Sequence, residues 1–265
     1  MDILLPIIVL GSLGIIFGLW LGFMQRFFFV KKDPRIEHIF SLLPGSNCGA
    51  CGQAGCYGLA ETLASGEVTS ITCPVVHEKE RESIAHILGI NTSVTEKYVA
   101  TLICGGGVRC KDNFQYHGIR DCNIATLVMK GPKACMFGCV GLGSCVEVCP
   151  FDAIRMGKDG LPEIDTQKCT GCGKCVKVCP KEILVLAPLK KMYNVMCHSS
   201  DKGADVIKAC KAGCIACGKC VNACPANAIA LKDNVAVIDY TKCTNCGKCL
   251  EVCPTKAIGK RGDSA

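Results

Sequence analysis

Four short cysteine runs constrain this chain more than any other feature of its sequence. Three of them have the spacing C-x₂-C-x₂-C-x₃-C-P, the ligand spacing of bacterial-type [4Fe–4S] ferredoxin sites. The regular runs are Cys169, Cys172, Cys175 and Cys179; Cys214, Cys217, Cys220 and Cys224; and Cys243, Cys246, Cys249 and Cys253. An irregular run contains Cys135, Cys139, Cys145 and Cys149. The runs predict iron–sulfur sites that carry single electrons.

The total of 25 cysteines in 265 residues also invites two other interpretations. Disulfide frameworks belong to short secreted chains, whereas this count is odd and the triplets are too close in sequence to pair with one another. Zinc sites use paired C-x₂-C knuckles, but they seldom need a third C-x₂ step followed by Cys-Pro. The regular runs therefore favour iron–sulfur clusters over both alternatives.

The formal net charge of +7 counts every cysteine as neutral. A [4Fe–4S]²⁺ core with four thiolates carries about −2, so six such clusters would outweigh this positive charge. The lysines beside the ligands compensate the clusters locally, and they could also attract an acidic redox protein. The apparent basicity therefore does not predict a nucleic-acid partner.

Residues 3–24 contain no charged side chain and are long enough to span a bilayer as one helix. A signal peptide is disfavoured because the segment lacks a basic n-region and an A-x-A cleavage site. Arg26, Lys31, Lys32 and Arg35 follow the segment, so the positive-inside rule places its C-terminal side in the cytoplasm. Unpaired thiols persist in that reducing compartment. We therefore expect a single-pass cell-membrane anchor with the remaining chain on the cytoplasmic side.

A further cysteine group follows the anchor after a short linker. Its spacing can close one Cys₄ iron–sulfur site, with zinc as the alternative, and its members are Cys48, Cys51, Cys56 and Cys73. Residues 57–65 and 78–88 have helical apolar spacing, and Gly89 is predicted to cap the second helix.

The block from 95 to 130 contains Cys104, Cys110 and Cys122, and a predicted strand over 99–103 ends at the first of them. An internal echo relates ATLIC…KACMFGC to YNVMC…KACKAGC, so Cys197 and Cys210 become candidates to complete a site with these three. A sixth cluster is one interpretation. Buried or free thiols are the other.

Residues 131–190 and 210–258 each read as a two-cluster ferredoxin, in which the Cys-Pro cysteine ligates the other cluster. By this rule, Cys149 completes the site of Cys169, Cys172 and Cys175, and Cys179 completes that of the irregular run. In the second pair, Cys224 completes the site of Cys243, Cys246 and Cys249, and Cys253 completes the site of Cys214, Cys217 and Cys220. Leu142 stands where the irregular run should have its second ligand, and we expect Cys135 to substitute for it. Predicted short strands lie between the runs, including a hairpin of 228–231 with 235–239.

No G-x-G-x-x-G fingerprint, Walker motif, nucleophile–base pair or covalent-flavin segment occurs in the sequence. We therefore predict no catalytic residues, no flavin and no NAD site in this chain, and [4Fe–4S] clusters as its cofactors: five, with a sixth left open.

The anchor, the NCGACGQAGC element with its later Cys-Pro, and the two tandem ferredoxin pairs resemble, over nearly the whole chain, the long form of the B subunit of the Rnf complex. That resemblance implies an electron-relay subunit of a membrane complex that couples ferredoxin oxidation to Na⁺ or H⁺ translocation. It implies a soluble ferredoxin as donor, the other subunits of the complex as partners, and no substrate-converting site. The alternative is a membrane-anchored polyferredoxin that serves another oxidoreductase or a hydrogenase.

The expected fold class is α+β, with one transmembrane helix, a small four-cysteine Fe–S domain and two tandem ferredoxin domains. The expected boundaries are 1–27 for the anchor, 28–45 for a linker, 46–90 for the N-terminal cluster domain, 91–130 for a connecting region, 131–190 for the first ferredoxin domain and 191–265 for the second with its tail.

Overall fold

The computed structural model describes residues 4–28, 33–68, 70–90 and 96–261. Its helices are α1 (Leu4–Phe27), α2 (Pro34–Leu42), α3 (Cys56–Ser65), α4 (Glu78–Leu88), α5 (Cys122–Leu127), α6 (Ser144–Glu147), α7 (Lys174–Val178), α8 (Gly203–Ala209), α9 (Lys219–Asn222) and α10 (Lys248–Glu251), with a 3₁₀ turn at Gly107–Arg109. Its strands are β1 (Tyr98–Leu102), β2 (Ile154–Met156), β3 (Pro162–Ile164), β4 (Leu184–Pro188), β5 (Tyr193–Val195), β6 (Ile229–Lys232), β7 (Val235–Ile238) and β8 (Ile258–Lys260). Lys31, Lys32, the predicted tail from residue 262 onward, and the start of the predicted connecting region at 91–95 lie outside the described residues.

Helix α1 packs against no other part of the described chain. Its segment Ile7–Phe27 has a mean hydropathy of 2.3, and none of that segment is buried. At 1.5 Å per residue its 24 residues extend about 36 Å, enough to cross a hydrocarbon core about 30 Å thick. Among the described residues it is the one helix long and apolar enough to do so. It fits a single-pass anchor.

Three helices form the domain that follows. Helices α3 and α4 agree with the predicted ones, and Gly89 adopts the left-handed conformation, with φ 66°, at the end of α4. Helix α2 was not expected, because the segment that contains Pro34 and Pro44 was interpreted as a linker. Pro34 instead occupies the first turn, where it costs no hydrogen bond, and Asp33 caps the helix through the Arg35 N–H. Ile39, buried on α2, packs with the cores of α3 and α4.

The next part of the chain is a ferredoxin-like unit enclosed by two antiparallel strand pairs. β1 pairs with β4 from Tyr98↔Pro188 to Leu102↔Leu184, so the strand before the cysteine runs joins the strand after them. β2 and β3 form a hairpin, with Ile154 opposite Ile164. Buried Val99, Leu184 and Ile154 belong to one apolar core with the cysteines.

The last part repeats this plan. β5 pairs with β8, and β6 pairs with β7 in the predicted hairpin. Asp233 and Asn234 both have positive φ, 46° and 62°, as the tight two-residue turn of such a hairpin requires. We call residues 96–190 the first ferredoxin unit and residues 191–261 the second.

Hydrogen bonds to backbone carbonyls tie the two units together. The Asn194 side chain, buried, donates to the Leu102 carbonyl at 2.8 Å, and the Gly105 N–H donates to the Met196 carbonyl at 2.8 Å. The two contacts join the end of β1 and the segment after it to β5 and the segment after it. The units therefore meet at the two segments that each precede a cysteine run.

Candidate iron–sulfur sites

The N-terminal domain collects four cysteines at the start of α3 and before α4. Cys56 and Cys73 are buried, and Cys48 and Cys51 are half-buried. The Asn47 side chain accepts a hydrogen bond from the Cys56 N–H at 2.8 Å. Gly55 beside it has φ 141°, and a Cβ there would lie 2.9 Å from the Asn47 oxygen, so only glycine permits this contact.

The first ferredoxin unit brings Cys149 together with Cys169, Cys172 and Cys175 around one cavity. The Ala153 N–H donates to Cys149 Sγ at 3.4 Å, and the Ala100 N–H donates to Cys169 Sγ at 3.4 Å. Such bonds stabilise a thiolate and any cluster that it ligates. The exchange of the Cys-Pro cysteine between runs, expected from the sequence, is present in this arrangement of side chains.

This group adjoins the N-terminal one. Phe151 and Cys172 pack against the apolar core of the N-terminal domain. Burial raises the pKa of Cys172, and the nearby thiols, first among them Cys48, raise it further. Two thiols from different sites are therefore electrostatic neighbours, and the two sites share a packed boundary.

The irregular run is arranged differently from the expectation. Burial raises the pKa of Cys145 to about 11, and the neighbouring thiols that add to this rise are Cys122 and Cys179. Burial also raises the pKa of Cys139, with contributions from Cys104, Cys122 and Cys145. The thiol of Cys122 thus lies beside those of Cys139 and Cys145, in the position for which the sequence suggested Cys135.

A hydrogen-bonded frame holds Cys122 there. The buried Ser144 hydroxyl accepts from the Cys122 N–H at 2.8 Å and donates to the Asp121 carboxylate at 3.2 Å. Asp121 also caps α5 through the N–H groups of Asn123 and Ile124. The Asn123 side chain reaches the Val178 carbonyl at 3.5 Å. The start of α5 is therefore fixed next to Cys145 on one side and next to Cys179 on the other.

The second ferredoxin unit has the regular arrangement. Cys214, Cys217, Cys220 and Cys253 line one cavity. Cys253 Sγ accepts from the Ala257 N–H at 3.2 Å, and Cys224 Sγ accepts from the Ala228 N–H at 3.3 Å. Burial and the charges of Cys243 and Cys246 raise the pKa of Cys249 to about 11.

Five remaining cysteines lie between the two units. They line one cavity and are Cys104, Cys110, Cys135, Cys197 and Cys210. Burial raises the pKa of Cys135 to about 11, and the thiols that add to this rise are those of Cys104, Cys197 and Cys210. Cys135, which the sequence analysis assigned to the irregular run, thus lies with the candidate cysteines of the sixth cluster. Cys122, which it counted among those candidates, lies with the irregular run instead.

The chemistry of these groups fits iron–sulfur clusters. Burial and mutual repulsion keep several of the thiols protonated, so four thiolates can share one cavity only when cationic iron offsets their charge. In the ranges that the structure describes, no three or more His, Cys, Asp or Glu side chains are spaced to hold a single metal ion. The sulfurs of three of these groups instead line cavities, the arrangement that a four-iron core requires.

A signal for Cys122 was present in the sequence. The echo pairs Cys104 with Cys197, Cys135 with Cys210, and Cys139 with Cys214, and it leaves Cys110 and Cys122 without a counterpart. The same alignment leaves the Leu142 position without a ligand. A cysteine without a counterpart can supply the ligand that is missing in the same unit. The spacing alone does not show whether that cysteine is Cys110 or Cys122.

Comparison with known proteins agrees with this division of the chain. Residues 133–183 and 213–257 match the family described as 4Fe-4S dicluster domain, and residues 43–75 match the family described as putative Fe-S cluster. The B subunit of the Na⁺-translocating ferredoxin:NAD⁺ oxidoreductase complex of Acetobacterium woodii is 44% identical over 91% of this chain and 73% of that protein.

Two further relatives extend the likeness. The B subunit of the proton-translocating ferredoxin:NAD⁺ oxidoreductase complex of Clostridium ljungdahlii is 44% identical over 91% of this chain and 86% of its own length. The B subunit of the ion-translocating oxidoreductase complex of Methanosarcina acetivorans is 40% identical over 89% of this chain and 90% of its own length. The resemblance found in the sequence, the expected fold class and the prediction of several [4Fe–4S] clusters are confirmed.

Proposed function

Because the chain belongs to the B-subunit family of ion-translocating oxidoreductase complexes, we propose that it accepts electrons from a reduced soluble ferredoxin and passes them to the membrane subunits of such a complex. Ferredoxin stands in the names of two relatives, one Na⁺-translocating and one proton-translocating. The electron-relay function itself follows from the family and from the dicluster domains. The donor, the ion and the orientation are the proposed parts.

We assign five ligand sets from the positions of the thiols. The N-terminal set and the four ferredoxin sets are Cys48, Cys51, Cys56 and Cys73; Cys149, Cys169, Cys172 and Cys175; Cys122, Cys139, Cys145 and Cys179; Cys214, Cys217, Cys220 and Cys253; and Cys224, Cys243, Cys246 and Cys249. Compared with the sequence-based sets, Cys122 replaces Cys135 in the third. The other four are unchanged.

The observation that carries the proposal is the boundary between the sites of Cys48 and Cys172. The domain that contains Cys48 follows the apolar helix α1, and it packs directly on the first ferredoxin unit through Phe151 and Cys172. A site in the domain that follows the anchor in sequence is therefore in contact with a site of the ferredoxin array. This continuity supports transfer between a soluble donor and the membrane.

A [4Fe–4S] cluster, when bound, supplies a one-electron carrier whose potential depends on the hydrogen bonds to its sulfurs and on its exposure. The protein supplies both. Backbone N–H groups of residues such as Ala100, Ala153 and Ala257 donate to cysteine sulfurs, and the apolar cores around these cysteines exclude water. No side chain has to move a proton for this function.

The second unit offers the surface for a soluble donor. Cys217 and Cys246 are exposed. Lys219, Lys242 and Lys248 are exposed, lie within four residues of these cysteines in sequence and would attract an acidic protein. Arg26 at the end of α1 and Arg35 after it support a cytoplasmic position for this surface.

The proposal is tested with Cys56→Ala in the assembled complex. Ferredoxin-driven turnover should fall to background, because the N-terminal site is lost from the path, while the EPR signals of the ferredoxin units still appear on reduction. Ser65→Ala, at the exposed end of the same helix, is the matched control and should keep full turnover. Normal turnover of the Cys56→Ala complex would remove the N-terminal site from the path and contradict the proposal.

A further inference from the structure

One cationic side chain of the second ferredoxin unit is partly buried beside a cysteine site of the first unit. We call the group that lines one cavity, Cys149, Cys169, Cys172 and Cys175, the Cys169 site. We propose that the Arg261 guanidinium is the counter-charge of the Cys169 site and raises the reduction potential of a cluster bound there. The inference rests on the proposed function, because it concerns one site of the same relay.

Arg261 directly follows β8, and its hydrogen bonds hold it against the segment between β4 and β5. Its N–H donates to the Met192 carbonyl at 2.6 Å. Its side-chain Nη1 donates to the Pro188 carbonyl at 2.8 Å and to the Leu189 carbonyl at 3.3 Å. Pro188 is the last residue of β4. The side chain therefore reaches from the second unit to the end of a strand of the first unit.

The rest of the guanidinium lacks a partner in the part of the chain that the structure describes. Its Nε and Nη2 atoms are buried, and neither donates a hydrogen bond to a described residue. No described carboxylate forms an ion pair with Arg261. A buried cation is costly unless a negative charge compensates it. We therefore expect an anionic group other than a carboxylate close to this side chain.

A wall of small residues separates Arg261 from the Cys169 site. Arg261 lines a cavity of about 470 Å³ whose walls include Ala100 and Ala153. Both of these residues also line the cavity of the Cys169 site. Their N–H groups donate to two ligand sulfurs of that site, at 3.4 Å each. The two cavities therefore share a wall that is bonded directly to the ligands.

The charges around the guanidinium agree with this placement. Burial lowers the pKa of Arg261, and Tyr240 and Cys169 oppose that decrease. An arginine remains protonated at neutral pH after such a decrease. Glu163, a carboxylate that lines the same cavity, is paired with Arg155 instead. The thiolates of the Cys169 site are therefore the negative charge that fits Arg261.

The internal repeat shows that a ferredoxin unit does not require arginine at this position. Arg261 lies eight residues after Cys253, and the residue eight places after Cys179 is Ala187, which is buried. The first unit thus has a methyl group where the second unit has a cation. The reason for the cation is therefore the neighbouring unit that it faces, and not the fold of its own unit.

The sign of the effect follows from the charge of the cluster. Reduction adds one electron, taken from a neighbouring site, and no proton, so the total charge changes from about −2 to about −3. A nearby cation stabilises the more negative state more strongly, and the effect is larger away from water. Arg261 keeps its proton and therefore raises the reduction potential. The Cys169 site then accepts an electron more readily from its neighbours.

The test is a redox titration followed by EPR, on the full-length chain purified anaerobically in detergent. Cys169→Ala identifies the signal of the site, because that signal is lost. In Arg261→Gln, the ratio of reduced to oxidised cluster at the wild-type midpoint should fall about tenfold, equivalent to ~59 mV for a one-electron couple. Arg155→Gln is the matched control. It removes a cation from the same cavity, but Arg155 is 83% exposed and screened, so the ratio should stay unchanged.

Arg261→Lys separates the charge from the packing of the side chain. This variant keeps a cation and should retain most of the wild-type ratio and the full iron content. If Arg261→Gln loses about four irons while Arg261→Lys keeps them, the charge is needed to hold the cluster, and the proposal stands. An unchanged or higher midpoint in Arg261→Gln, or equal changes in the two variants, would overturn the proposal and leave the proposed function standing. Absence of the signal from the reduced wild-type chain would instead contradict the proposed function.

Discussion

The two ferredoxin units share one plan but differ at two corresponding positions. In the second unit the cysteines at these positions, Cys217 and Cys246, are exposed. In the first unit the position of Cys217 is occupied by Leu142, and Cys122 reaches the site from α5. The position of Cys246 is occupied by Cys172, which the N-terminal domain covers.

This difference indicates that the first unit lies in the interior of the electron path and the second unit at its end. At the position of Cys246, the first unit is covered by the N-terminal domain, which brings four cysteines of its own. Burial raises the pKa of Cys175 in the first unit to about 12, and that of its counterpart Cys249 in the second unit to about 11. In the proposed sets, the two runs of the second unit supply all of its ligands, whereas the first unit also needs Cys122 from outside its runs.

The largest effect is expected when Cys122, the ligand from outside the runs of the first unit, is removed. Cys122→Ala should remove the cluster that Cys139, Cys145 and Cys179 cannot hold without a fourth ligand, with a loss of about four irons per chain. The second unit should keep its EPR signals. Iron analysis and EPR of the reduced chain measure both, and Cys110→Ala serves as the control from the same region. A Cys122→Ala chain with its full iron content would refute the account of the first unit.

A smaller effect is expected at the frame behind Cys122. Ser144→Ala leaves the Cys122 N–H and the Asp121 carboxylate without their shared hydroxyl partner. Such a loss in a buried position costs about 1–3 kcal/mol. Anaerobic urea unfolding, followed through the visible absorbance of the clusters, should show this decrease. Ser83 is exposed and its hydroxyl donates to the Lys79 carbonyl of the same helix, so Ser83→Ala should change the midpoint little. Equal shifts in the two variants would contradict the proposed role of Ser144.

Exposure gives a third difference between the units. On brief treatment of the intact chain with an iron chelator, the second unit should lose iron before the first, because Cys217 and Cys246 are open to solvent. Time-resolved EPR can follow the two sets of signals. Bound partner protein that covers the second unit should slow its loss. If the first unit loses iron at the same rate as the second, its proposed interior position is disproved.

The smallest effect concerns the two hairpins. Arg155 pairs with Glu163 across the hairpin of the first unit at 2.8 Å, and the second unit has Ala230 opposite Val237 at the equivalent position. Arg155 is 83% exposed, so Arg155→Gln should cost no more than about 0.2–1 kcal/mol. The cost should vanish at high salt. A larger loss in the same urea titration would show that this pair has a role beyond a surface ion pair.

Local features of the sequence predicted much of this fold. The spacing of apolar residues gave helix α4 with its bounds and its Gly89 cap, and turn residues gave the hairpin at Asp233 and Asn234. The regular runs gave the exchange of Cys149 into the next run. These features depend on residues close in sequence, or on a rule that applies to every such run.

The unexpected features depend on contacts between distant segments. Cys122 reaches its site through Ser144, which is 22 residues away, and a cysteine at the start of a short helix has no spacing that announces a ligand. Helix α2 was hidden by Pro34, which begins helices as well as loops. The contact between Cys172 and the N-terminal domain requires the packing of two complete domains, and no local pattern encodes it.

The most direct test of this account locates the irons themselves. A cryo-EM map of the anaerobically prepared complex, or iron anomalous diffraction from crystals of it, shows which cysteines contact each cluster. The account predicts a four-iron density enclosed by Cys122, Cys139, Cys145 and Cys179, adjoining the site of Cys172. A density at this place that contacts Cys135 in place of Cys122 would contradict it.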